Sequence, residues 1–142
     1  MSDLSTASNA STTSATTGLL LFAHGARDPQ WARPFEAVAA HCRAARGHDR
    51  VALAFLEFMA PDLVAGGGAL AAAGCTEVDV VPLFLGAGGH VRKDIPVLMA
   101  RLQADHPGVR FTLRQTVGEA PALIAAMAAV ALSPIAVEVP VR

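Results

Sequence analysis

The sequence predicts a three-layer α/β fold, in which helices cover both faces of a four-stranded parallel sheet. Two periodicities alternate along the chain, because short apolar runs are each followed by a segment with apolar residues at three-to-four spacing. The runs are rich in Val, Leu or Phe, which is typical of strands buried on both faces. Repeated strand–helix alternation favours a parallel sheet with right-handed crossovers. The predicted strands are Leu19–Ala23, Val51–Phe58, Val78–Leu85 and Val109–Val117.

The helical segments follow these strands in order. Pro61 and Pro121 are expected to open the second and fourth helices, because proline suits the first helical turn. The third helix is predicted after Asp94 as N-cap, with Pro96 in its first turn. Three successive glycines, 66–68, should weaken the second helix, so its bounds are the hardest to predict. The first helix has an apolar stripe of Trp31, Phe35, Val38, Cys42 and Ala45.

The ends of the chain differ in composition from the middle. Residues 1–18 are mainly Ser, Thr, Ala and Asn with little to bury, so we expect a disordered leader. One domain is expected over residues 19–132, followed by a tail or an added edge strand over 133–142. The uncharged stretch Ala120–Val137 has a helical part shorter than the roughly 20 residues of a membrane span. It is therefore predicted to be a packed helix plus a tail, with no membrane partner.

Charge and cysteine content exclude several classes of protein. A net charge of −1 over 142 residues leaves no basic surface for a polyanion, so nucleic acid is not expected as a partner. Cys42 and Cys75 have neither disulfide-framework nor metal-ligand spacing. Free thiols are typical of a reducing compartment, so we expect a cytoplasmic protein.

Three side chains of metal-ligand type fall at equivalent places in successive strand–helix units. His24 follows the first strand, Glu57 ends the second and His90 follows the third, each 33 residues from the next. One such unit takes roughly 30 residues, so equivalent positions return to the same edge of the sheet. In open α/β sheets, ligands bind beyond the carboxyl ends of the strands. The spacing therefore predicts that two imidazoles and one carboxylate meet in one crevice.

Two His and one Glu can hold a divalent transition metal while leaving coordination positions open. An imidazole can also accept a proton near neutral pH. Taken alone, each of these residues has an ordinary structural explanation, and their shared position is what favours a functional site. The basic residues nearby, which could bind carboxylates of an acidic substrate, are Arg27, Arg92 and Lys93.

The segments LLLFAHGARDP, VALAFLEFMAP and VDVVPLFLGAGGHVRKDIP, in that order, resemble the small CbiX and SirB type sirohydrochlorin chelatases. The resemblance covers roughly residues 19–132. It implies a flavodoxin-like half-unit of the chelatase fold and the insertion of Co2+ or Fe2+ into sirohydrochlorin, for cobalamin or sirohaem. By position, it makes His24 a metal ligand and proton acceptor, His90 a second metal ligand and Glu57 their acidic partner. The implied substrate contacts are Ala60, Leu85, Gly86, Ala87, Gly88, Gly89, Arg27 and Arg92, and many relatives carry an acidic residue in place of Ala60.

The resemblance also bears on cofactors and partners. It implies no permanently bound cofactor, because the divalent metal is a substrate, and no ATP-binding loop occurs in the sequence. Larger enzymes of the class resemble two such units in one chain, so a symmetric homodimer is expected here, with the tetrapyrrole in the cleft between its subunits.

Two other functions stay open at this point. A metal or tetrapyrrole carrier would bind the same ligands without turnover. A histidine phosphatase also places His-Gly after its first strand, but that class has Arg before the His, where this chain has Ala23.

Overall fold

A parallel sheet of four strands in the order β2-β1-β3-β4 lies at the centre of the protein. The computed structural model describes residues 15–133. The strand order reverses between β1 and β3, which is where open α/β sheets leave a crevice at their carboxyl edge. The strands are β1 (Thr17–Ala23), β2 (Val51–Phe55), β3 (Glu77–Pro82) and β4 (Arg110–Leu113), and the helices are α1 (Arg33–Arg46), α2 (Leu63–Ala72), α3 (Gly89–Asp105) and α4 (Pro121–Leu132).

The register brings the carboxyl ends of the first three strands to one edge. Ala23 of β1 pairs with Phe55 of β2, and Phe22 pairs with Pro82 of β3. The residues that follow these strands therefore leave the sheet side by side, as the spacing of the motifs predicts.

Both faces of β1 are buried, which makes it the central strand of the fold. Leu20 and Phe22 pack in a cluster with residues of α2 and α3. Leu21 and Ala23 belong to a second cluster on the opposite face, against α1. The predicted three-layer arrangement with helices on both faces is thus confirmed.

The buried stripe of α1 differs from the predicted one. Ala39 is fully buried and Phe35 and Cys42 are partly buried, whereas Val38 is 40% exposed and Ala45 is exposed. Ala39 lies close to the sheet because its side chain is small, and this rotates the larger Val38 toward solvent. The helix is also preceded by a 3-10 turn, Pro29–Ala32, so the apolar stripe begins outside α1.

Helix α2 runs through the triple glycine without interruption. Its N-cap is Asp62, whose carboxylate accepts a hydrogen bond from the Ala65 N–H at 2.8 Å, so the helix begins two residues after Pro61. A Cβ on Gly66 would lie 2.9 Å from Leu20 Cδ1, and one on Gly67 would overlap Leu102 of α3. These glycines allow α2 to approach the sheet and α3 more closely than any other residue would.

Helix α3 begins earlier than predicted. It starts at Gly89 after Gly88 as N-cap, so the prediction of Asp94 as N-cap is wrong. Pro96 therefore lies inside the helix, where it has no N–H to donate to the carbonyl of Arg92. Glycine has no side chain that could mark the N-cap in the sequence. Asp94 followed by Pro96, in contrast, has the residue pattern that is typical of a helix start. The correction places His90 in the first helical turn instead of a loop.

Helix α4 begins at Pro121 as predicted, but it is not packed within this chain. None of its residues is buried, and Ile124, Met127, Val130 and Leu132 are all substantially exposed. The prediction of a packed helix is therefore wrong for the single chain. Within residues 15–133, no helix has the length and apolar character to cross a membrane.

The predicted chain ends lie largely outside the described residues. Strand β1 begins at Thr17, so Thr17 and Gly18 belong to the sheet and not to the predicted leader. The remainder of that leader up to residue 14, and the predicted tail or edge strand over 134–142, are outside the described part of the chain.

Candidate active site at the carboxyl edge of the sheet

His24 and Glu57 form a close pair just beyond β1 and β2. His24 Nε2 lies 3.3 Å from Glu57 Oε1, and the two side chains are 47% and 48% exposed. Two donors bound at about 2.1 Å to one tetrahedral ion lie roughly 3.4 Å apart. The 3.3 Å separation is that of a direct contact between the two side chains, and it is also close to the spacing of two ligands on one divalent ion. Both side chains are open to solvent.

The backbone holds this pair in place. The N–H of Leu56 donates to the carbonyl of Ala23 at 2.9 Å, and the N–H of Glu57 donates to the carbonyl of His24 at 3.1 Å. Gly25 has a φ of 93°, and a Cβ there would overlap the carbonyl oxygen of Glu57. Only glycine combines that conformation with that contact, so the glycine after His24 allows the two loops to touch.

An aromatic ring flanks the imidazole. The rings of His24 and Phe84 meet edge to face with centroids 6.1 Å apart, and Phe84 also packs on Phe22 of the core. Phe84 is buried and lies between β3 and α3. The imidazole is therefore positioned by Glu57 and by a core aromatic, which restricts its orientation.

His90 does not join His24 and Glu57 in a preformed metal site. Within the described residues, no three His, Cys, Asp or Glu side chains are grouped to hold a metal ion. His90 is exposed in the first turn of α3, beyond the loop Leu85–Gly88. Of the three side chains expected to meet, His24 and Glu57 are in contact. His90 is not grouped with them, because α3 starts at Gly89 and carries His90 on the helix.

The predicted substrate contacts divide between two clefts. A cleft of about 330 Å3 includes Arg27 and Ala60, together with Phe58. A second cleft of about 290 Å3 includes Ala87 and Arg92. Leu85 is 66% exposed, and the other predicted contacts, Gly86, Gly88, Gly89 and Lys93, are also exposed.

Sequence reasoning missed two structural features of this edge. Phe58, directly after Glu57, has a φ of 66°, and no sequence signal marks an aromatic residue for that conformation. Gly118 donates its N–H to the carbonyl of Phe84 at 2.9 Å, and a Cβ there would overlap the backbone of Leu85. Gly118 lies three residues before Pro121, and a glycine in such a connection could have indicated a close backbone contact.

The fold and the pair define an α/β protein with a histidine–carboxylate site at the carboxyl edge of a parallel sheet, beyond β1 and β2. The chain belongs to the CbiX family, whose profile matches residues 18–132. This confirms the family resemblance of the three motifs.

Relatives of known name agree with this assignment. A sirohydrochlorin cobaltochelatase of Saccharolobus solfataricus is 33% identical over 98 residues, which are 69% of this chain and 74% of that protein. A sirohydrochlorin ferrochelatase of Bacillus subtilis is 29% identical over 100 residues, which are 70% of this chain but 38% of that protein. The chain thus spans well under half the length of this second relative.

Solved structures show the same architecture. A CbiX protein of Marinobacter aquaeolei superposes with a TM-score of 0.73 at 34% identity, covering 82% of this chain and 95% of the other. The sirohydrochlorin chelatase SirB of Bacillus subtilis subspecies spizizenii, in complex with cobalt, also gives 0.73, at 25% identity. That match covers 84% of this chain and 51% of SirB.

Proposed function

We propose that this protein inserts a divalent metal, Co2+ or Fe2+, into sirohydrochlorin without ATP. The observation that carries the proposal is the separation of 3.3 Å between His24 Nε2 and Glu57 Oε1, at the carboxyl edge of a CbiX-family sheet. The named relatives, a cobaltochelatase and a ferrochelatase, support the reaction class.

The chemistry of metal insertion suits this pair. The reaction replaces two pyrrole N–H protons by one divalent ion, so it needs a metal ligand and a base near one another. An imidazole serves either role, and an adjacent carboxylate stabilises the imidazolium or completes the coordination. In the proposed reaction, His24 and Glu57 hold the ion until it passes to the macrocycle nitrogens. The freed imidazole of His24 then accepts one of the two pyrrole protons, the second proton passes to solvent water, and Glu57 offsets the charge of the imidazolium.

A loosely held metal is an advantage here, because the ion is a substrate that must leave the protein. Two ligands leave most coordination positions free for the incoming macrocycle nitrogens. His90, on the first turn of α3, is proposed as a further metal ligand that engages when substrate is present.

The test is anaerobic incubation with sirohydrochlorin and Co2+ or Fe2+, followed by absorption spectroscopy. His24→Ala should lower the rate of insertion by about 100-fold or more, the range for loss of a general base. Glu57→Gln should lower it less, because the amide keeps the shape but not the charge. His41→Ala is the matched control, since His41 is an exposed histidine of α1 remote from the pair, and its rate should equal that of the unmodified protein.

Two results would overturn the proposal. Tetrapyrrole binding without a rate above the uncatalysed one would indicate a carrier instead of an enzyme. Full activity of the double variant His24→Ala, His90→Ala would exclude imidazole catalysis at this edge. Parallel assays with each metal alone and in competition then identify the preferred one, on which the two named relatives differ.

We also propose that two copies of the chain form the working enzyme. Helix α4 supports this, because it is apolar on all sides and unburied within its own chain. The match of one chain to 51% of SirB supports it as well, because a pair of chains would supply a comparable length. A second copy that covers α4 would bury the large apolar side chains that are now exposed.

Sedimentation velocity tests the dimer. Val130→Lys should shift the protein toward monomer, because a lysine cannot be buried unpaired in an apolar contact. Ala104→Lys, an exposed change near the far end of α3, should leave the dimer intact. A fully active monomer at working concentration would show that the second copy is not needed.

A further inference from the structure

Phe58 has a backbone conformation that its side chain does not favour. It is the only non-glycine residue with a positive φ, 66°, among residues 15–133. The N–H of Met59 donates to the carbonyl of Glu57 at 2.8 Å, which closes a tight turn centred on Phe58. A γ-turn with positive φ is rare and strained, and a residue with a Cβ is disfavoured there. Such strain persists only where the surroundings impose it, and it is concentrated at functional sites.

Contacts with the loop after β1 impose this turn. Glu57 is held by the carbonyl of His24 and by close contact with Gly25, so the chain must reverse immediately after the catalytic pair. Burial of the ring does not compensate for the strain, because Phe58 is 57% exposed. A glycine would satisfy the same turn without strain, so the aromatic side chain at this position needs another explanation.

Arg27 stacks on the exposed ring. Its guanidinium carbon lies 5.0 Å from the centroid of Phe58, within the range of a cation–π contact. Stacking leaves the N–H edge of a guanidinium free to bind a carboxylate through paired hydrogen bonds. We call these two residues the Arg27–Phe58 shelf. Both residues line the cleft of about 330 Å3 that also includes Ala60. Phe58 directly follows Glu57 in the sequence.

We propose that the Arg27–Phe58 shelf binds the edge of the tetrapyrrole, with the Phe58 ring against the apolar macrocycle and Arg27 on a peripheral carboxylate. The proposal rests on the proposed function and assigns one side of its substrate site. The shelf holds the macrocycle beside His24 and Glu57, and the strained turn keeps the ring exposed for that contact.

The decisive variant is Phe58→Gly, because glycine relieves the strain and removes the ring. Its free energy of unfolding should equal or exceed that of the unmodified protein. Its Kd for metal-free sirohydrochlorin, from an absorption titration, should rise about tenfold, and the KM should rise with it while kcat stays within about twofold. Phe58→Tyr keeps the ring and should restore tight binding.

Arg27→Gln tests the second member of the shelf. It should raise the Kd by a similar factor, and the double variant should weaken binding by less than the product of the two single effects, because the residues contact each other. Arg101→Gln, an exposed arginine on α3 that pairs with Asp105, is the matched control and should leave the Kd unchanged.

The outcomes separate this inference from the proposed function. If Phe58→Gly binds sirohydrochlorin as tightly as the unmodified protein, or lowers stability without changing the Kd, the shelf proposal is wrong even where chelatase activity is present. If the unmodified protein binds sirohydrochlorin but does not metallate it, and Phe58→Gly weakens that binding, the shelf is supported while the enzyme proposal fails. If the unmodified protein does not bind sirohydrochlorin, both proposals are wrong.

Discussion

The two sides of the candidate site are built differently. On the first side, the loops after β1 and β2 are joined by backbone hydrogen bonds and by the contact between Gly25 and Glu57. On the second side, the loop Leu85–Gly88 leads into α3, and a Cβ on Gly86, Gly88 or Gly89 would meet no atom within 4 Å beyond its own adjoining stretch of chain. The difference indicates that the His24–Glu57 pair is preorganised, whereas the segment carrying His90 has open space beside it.

The strongest test of the first side is Gly25→Ala. The substitution combines a positive φ of 93° with overlap of the Glu57 carbonyl, so the two loops must separate. We expect a loss of about 3 kcal/mol in the free energy of unfolding, from strain and steric overlap together, and a fall in kcat of at least about tenfold. Chemical denaturation and the metal insertion assay measure the two effects. Unchanged stability would show that the loops are not locked by this contact.

Gly118→Ala tests a point where the second side is held by a backbone contact. Its Cβ would overlap the backbone of Leu85, but its φ is outside the left-handed region, so only the contact is affected. We expect a smaller loss of about 1–2 kcal/mol, as for overpacking. The KM for sirohydrochlorin should rise more than kcat falls, because the His24–Glu57 pair is not displaced. A fall in kcat alone would contradict this division between the two sides.

Gly88→Ser should have a small and opposite effect. Gly88 is the N-cap of α3 and makes no side-chain cap, and its φ and ψ of −75° and 174° suit any residue. A serine can accept a hydrogen bond from the first helical turn. We expect stability to rise by about 0.5 kcal/mol in thermal or chemical denaturation.

Gly86→Ala is the smallest change and serves as the counterpart of Gly25→Ala. Space is open around Gly86, so stability should stay within about 0.5 kcal/mol. A large destabilisation would mean that the second side is packed as tightly as the first, and the contrast between the two sides would be wrong.

The sequence was sufficient to predict the sheet, its helical layers and the alignment of His24 with Glu57. These features follow from the apolar periodicity and from the length of one strand–helix unit, and both can be read from the local sequence. The start of α3 was predicted wrongly, because the cap at Gly88 depends on backbone conformation alone. The end of β2 at Phe55 and the turn at Phe58 were not predicted either, because contacts with the loop after β1 impose them.

The exposure of α4 has a different cause. Its apolar pattern correctly predicts a helix that needs covering, but the pattern does not specify the covering surface. The local sequence shows that α4 is apolar enough to need burial. The surface that buries it depends on the assembly and cannot be read from the helix itself.

The triple glycine of α2 affects how the protein folds. Each glycine costs up to about 1 kcal/mol relative to alanine in a helix, so this segment has little tendency to be helical by itself. It becomes a helix only where Leu20, Ala54 and Leu102 surround it. Formation of α2 and formation of the core are therefore one cooperative event. The amide protons around Gly67 should exchange with solvent only through global unfolding, which makes them internal reporters of the whole fold.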